Sequence, residues 1–207
     1  MPTYTIEKAV LPIAAVSAST SDFAHHFLVI RDENGQVLSE FHGHAYRSDG
    51  SSFDSISGKI SLQSGSDSVN FVSLGFGDKI GAFEYTLDPN NPDADLSGSV
   101  YNFYRNQNGG EAPPAVLLGT VSSSDYSSLL SRLRLTRAYI NAEELSYAPL
   151  PGLYNLLSSS SHANSNSTFS TFIAAVGISD QAVPLPDGVD RIRDTENGAE
   201  HLGPELR

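Results

Sequence analysis

Cysteine and tryptophan are absent from the 207-residue chain, and methionine occurs once. Without thiols there is no disulfide framework, no thiolate metal site and no cysteine nucleophile. Lysine is scarce: Lys8, Lys59 and Lys79 are the only ones, and the net charge is −12. Such a surface repels phosphate backbones and anionic headgroups, so neither nucleic acid nor a membrane surface is an expected partner. No segment reaches the roughly 20 consecutive apolar residues of a transmembrane helix. The run Ala9–Ser19 (AVLPIAAVSAS) loosely resembles a signal-peptide core, but it contains Pro12, follows Glu7 and has little basic leader, so it reads as a strand. The lipase-type G-x-S-x-G, the H-E-x-x-H helix and the P-loop are missing as well.

Hydrophobic residues make up 39% of the chain, enough to expect a folded core rather than disorder. An acidic, cysteine-free, serine-rich composition is compatible with a secreted bacterial protein, the cytoplasm being the alternative. Short β-rich runs punctuated by Gly, Ser, Asp and Pro predict strands at 23–46, 59–63, 69–75, 82–87, 100–104 and 115–121. The period then changes. Tyr126, Leu129, Leu130, Leu133 and Ile140 share one helical face behind a Ser124 or Asp125 cap, with Arg132, Arg134 and Arg137 on its solvated side. Tyr147–Gly152 breaks that helix. A second helical face, Phe169, Phe172, Ile173 and Val176, ends at Gly177. The expectation is one α+β domain over 1–180, an antiparallel sheet packed against a few helices, with 181–207 as a tail along the surface.

Four of the six histidines lie between Phe23 and Tyr46, on two strands joined by Asp32-Glu33-Asn34-Gly35. Asp, Asn and Gly at those places suit a type I turn with a glycine bulge. If Asp32 opposes Gln36, His26 faces His42 and Leu28 faces Glu40, leaving Phe27, Val29, Val37 and Phe41 as a uniformly apolar opposite face. His26, Glu40, His42 and His44 then line one side. Paired histidines suit general-base or metal chemistry, although strand imidazoles are also ordinary surface decoration.

The second helix opens on Asn164-Ser165-Asn166-Ser167-Thr168-Phe169. Asn and Ser are good capping residues, and the helix N-terminus offers N–H groups and a positive dipole end to an anion. A histidine on an early strand, a polar partner on the next and a late helix start of this kind resemble the permuted papain-like superfamily, with lecithin–retinol acyltransferase a familiar member. Its nucleophile helix opens on a motif of the type Asn-Cys-x-x-Phe; here Ser165 takes the cysteine position and the phenylalanine comes one residue later. The stretch is also similar to an NSNS-type domain of large secreted or phage-like bacterial proteins. The resemblance covers 23–46 and 137–177. It implies a papain-like hydrolase (peptidase, amidase or lipid esterase) or acyltransferase, acting on a peptide, peptidoglycan or lipid ester, such as a bacterial effector or a cell-wall hydrolase. Ser165 would be nucleophile, His26 base, and His42 or Glu40 the group orienting the imidazole, with no cofactor. Serine departs from the pattern chemically, since a helix dipole and an imidazolium stabilise a thiolate but do not hold a hydroxyl ionised.

Three other readings compete. His26, His42 and His44 would make a three-histidine metal site with an open fourth position. Asp88, Asn90, Asp93 and Asp95 offer oxygen ligands for calcium, without the order of the familiar calcium loop. His201 follows Ser165 in the order of unpermuted papain-like enzymes. The non-enzymatic alternative is a catalytically inactive binding or structural module of a secreted protein.

Overall fold

The computed structural model describes residues 2–13, 23–46, 79–86, 99–147, 162–163, 165–179 and 181. Five antiparallel strands form the sheet: β1 (Thr3–Ile13), β2 (Phe23–Arg31), β3 (Val37–Tyr46), β4 (Lys79–Thr86) and β5 (Ala115–Ser122). Their order is β5-β1-β2-β3-β4, and two dipeptide strands, β6 (Ser146–Tyr147) and β7 (His162–Ala163), extend the β4 edge. Three helices complete the fold: α1 (Val100–Gln107), α2 (Ser123–Glu143) and α3 (Ser165–Val176). The α+β architecture matches the expectation. The expected strands at 59–63 and 69–75 lie outside the described residues, and the first strand runs nearer the N-terminus than expected from 9–19.

Both faces of the sheet are covered. On one, α2 and α3 pack Leu129, Leu133, Ile140, Phe169, Phe172 and Ile173 onto Ile6, Leu28, Ile30, Phe41 and Ala82. On the other, Val100 and Tyr101 of α1 close over Ala9, Leu11, Phe27, Val29 and Val37. The β2 strand is therefore buried continuously from His25 to Ile30, as expected of a strand with no wet side.

The turn at 32–35 forms as its residues dictate. Asp32 Oδ1 accepts from the amides of Asn34 and Gln36, and Gly35 takes φ +79°. The register beyond it corrects the expectation. Arg31 pairs with Val37 but Ile30 with Ser39, so Leu38 is an extra residue on β3 and every later pair moves by one: Val29↔Glu40, Leu28↔Phe41. A register chosen to keep one face dry has no purchase on a hairpin buried on both sides.

The run 100–104, read as a strand from its β-branched and aromatic residues, is helix α1. Ser99 Oγ accepts from the Asn102 amide and the Glu40 carboxylate accepts from the amides of Val100 and Tyr101, a tertiary cap that overrides a weak strand preference. The α2 helix begins at Ser123 with Ser122 at its N-cap, slightly ahead of the Ser124 or Asp125 cap expected. At the end of α3, Gly177 takes φ +73° and the Ile178 amide reaches back to Ile173 O at 3.0 Å, the six-residue closure a glycine at that place permits.

Candidate active site

The β2–β3 ladder runs from Arg31↔Val37 to Leu28↔Phe41. Past Leu28, the His26 amide donates to Asn166 Oδ1 at 3.0 Å instead. Asn166 is the second residue of α3, so the helix start carrying Ser165 is tied to the strand carrying His26, 140 residues apart in sequence. The His26 ring meets the edge of Phe169 at 5.8 Å between centroids, and the ammonium of buried Lys8 lies 5.3 Å from the centre of that ring. Lys8 pairs with Leu28 and Val10 with His26, which sets Lys8 and His26 on one face of neighbouring strands.

His42 and Glu40 are not on that face. The Leu38 bulge turns them to the α1 side, where His42 Nδ1 lies 3.3 Å from His25 Nε2 and His42 Nε2 lies 3.4 Å from Glu40 Oε1. The histidine beside His42 is thus His25, and neither His42 nor Glu40 can orient the His26 imidazole as the sequence suggested. Glu40 has its own task. Its oxygens accept from Ser99 Oγ (2.7 Å), Val100 N (2.8 Å) and Tyr101 N (3.2 Å). Burial pushes the Glu40 carboxyl up to about 7, against these bonds, which favour the charged form. Burial likewise pushes His25 down to about 3, assisted by His44 and His26. His44 stacks on Phe83 at 3.7 Å, and His42 lies over Tyr85.

The three-histidine metal site is corrected by the same register, since His26 is across the sheet from His42 and His44. Among the described residues no group of three or more His, Asp or Glu side chains converges to hold a metal ion. The calcium candidates Asp88–Asp95 and the late His201 lie outside the described residues. No described helix is long and apolar enough to cross a membrane. His25 and Asn166 were missed by sequence reasoning. Shifting the hairpin register by one residue would have found the first, and Asn166 was visible only as a capping residue. Comparison with protein-family models, curated proteins and solved structures finds no match to this chain.

Proposed function

We propose that the chain is an acyl hydrolase or acyltransferase acting on amide or ester bonds, with Ser165 as nucleophile and His26 as general base. The observation supporting this most directly is the 3.0 Å hydrogen bond from the His26 amide to Asn166, the residue after Ser165. In the reaction, His26 takes the hydroxyl proton as the Ser165 oxygen attacks the acyl carbon. Amides at the start of α3 stabilise the tetrahedral oxyanion. His26 returns the proton to the leaving amine or alcohol, and water or an acceptor then releases the acyl group. Peptide, peptidoglycan and lipid-ester substrates all suit this chemistry, in a secreted or delivered bacterial protein.

A second reading, an inactive binding or structural module, is favoured by the burial of His26, which is 6% exposed and packed on Phe169 like a core side chain. Covalent labelling by a serine-reactive phosphonate, located by mass spectrometry, separates the two. Labelling of Ser165 that disappears in His26→Ala supports the hydrolase. Ser165→Ala and His26→Ala are each expected to abolish turnover, by at least about a thousandfold. Full activity of either variant in an ester and amidase screen would overturn it.

A further inference from the structure

Between the two histidines of His42-Gly43-His44, the glycine faces α3. A Cβ at Gly43 would lie 2.5 Å from Thr168 Cβ and 2.9 Å from Thr168 Cγ2, with Oγ1 closer still. No real side chain tolerates such distances, so Thr168 occupies space that only a glycine leaves. Thr168 is fully buried and two residues beyond Asn166. The β2–β3 pairing ends at Leu28↔Phe41, two residues from His26 on one strand and two from Gly43 on the other. The first turn of α3 is thereby seated at two neighbouring places, Asn166 on the His26 amide and Thr168 in the notch over Gly43.

We propose that Gly43 is a positioning residue: its missing side chain lets Thr168 press onto β3 and so fixes the start of α3, with Ser165, against the strand carrying His26. This rests on the Ser165–His26 reading for its catalytic meaning, but its geometry can be tested without any substrate. It also gives the H-G-H pattern a role unrelated to metal, with the histidines facing α1 and the gap between them facing α3.

The experiment is amide hydrogen exchange, resolved by residue, on the full chain carrying Gly43→Ala, Thr168→Gly or both. In Gly43→Ala the added methyl lifts the first turn of α3, and protection of the His26 amide is expected to fall roughly tenfold, the scale of one lost hydrogen bond. Amides of β1 paired with β5 keep their protection. Thr168→Gly removes the opposing Cβ, so the double variant is expected to recover His26 protection to the level of Thr168→Gly alone, a rescue that general loss of stability would not produce. If Gly43→Ala fails to fold, recovery of folding in the double variant supports the proposal equally. Unchanged His26 protection in Gly43→Ala, or no rescue in the double variant, overturns the proposal. Where turnover is detectable, Gly43→Ala lowers kcat more than it changes KM. Exchange that behaves as expected in a chain lacking any turnover or phosphonate labelling would instead refute the hydrolase reading and leave the seat of the helix established.

Discussion

At the scale of single residues, the electrostatic consequences begin with Glu40. It is fully buried, caps α1 with three hydrogen bonds and lies beside His42 in a group that also holds His25, His44 and Tyr85. Folded Glu40 keeps its proton up to about pH 7, whereas its ordinary value is 4.5. The folded state therefore binds more protons than the unfolded state across that window, and this residue's contribution falls as pH rises through it. His25 acts in the opposite sense. It stays neutral down to about 3 against an ordinary 6.5, so the unfolded chain takes up protons first and stability is lost as pH drops from 6.5 toward 3. The two slopes oppose each other between 4.5 and 6.5, giving a plateau with a steep acid limb. Glu40→Gln removes only the first. Relative to the parent, the variant is expected to gain stability as pH rises from 4.5 to 7, by up to about 3 kcal/mol. Urea unfolding across pH 4 to 8 measures it; a difference that stays constant with pH would show that Glu40 does not titrate in that window.

Elements are held to the sheet by a few specific polar contacts as well as by burial. Glu84 on β4, its side chain 6% exposed, accepts from Arg134 through a two-pronged contact at 3.0 and 2.7 Å and from Arg137 at 3.1 Å, both on α2. Asn141 exchanges two hydrogen bonds with the backbone of Ala82 on the same strand. Because both arginines are partly exposed, each pair is screened, and Glu84→Ala is expected to cost only about 1–2 kcal/mol. Arg134→Ala should cost less, since Arg137 still meets the carboxylate; thermal unfolding in which Arg134→Ala is the worse variant would contradict this ordering. The arginines also show what the sequence disclosed and what it hid. The sequence placed them on a solvated face, and Arg134 is half exposed as that requires, but Arg134 and Arg137 both turn back to the sheet, and nothing local announced that Glu84 would gather two of them. The stripe of α3 and its stop at Gly177 were legible because period and cap are written within a dozen residues. The α1 helix was not, because its decisive cap comes from Glu40, far away in the chain. The site divides in the same way: Ser165 and His26 were legible as a helix start and a strand imidazole, while the partners of His26 and His42 depended on one bulged residue, Leu38, that no alternation marks in a strand pair buried on both sides.

Over the whole molecule, the sheet separates two chemically distinct halves. The α2–α3 side holds the candidate nucleophile helix, His26 and Lys8, and the α1 side holds the polar chain of His25, His42, Glu40 and Ser99. Surrounding both is a surface with net charge −12, whose self-repulsion opposes compaction wherever it is not locally compensated. Among the described residues, lysine and arginine pair Glu7 with Arg31, Glu84 with Arg134 and Arg137, and Glu144 with Lys79, while the sequence carries 24 acidic residues against 12 lysines and arginines. Raising ionic strength from 0.01 to 0.15 M shortens the screening length from about 30 to about 8 Å. That weakens long-range repulsion across the surface far more than contacts made at hydrogen-bond distance in partly buried places. The chain is therefore expected to become more stable with added salt at neutral pH, by a few degrees in Tm, and to lose most of that dependence near its pI of about 4.7. Sodium chloride is the suitable salt, since sulfate would also strengthen apolar burial and confuse the two effects. A Tm that falls over this range at neutral pH would mean that attractive pairs outweigh the net repulsion, and that the acidic side chains are organised around the few cations more closely than the contacts named above account for.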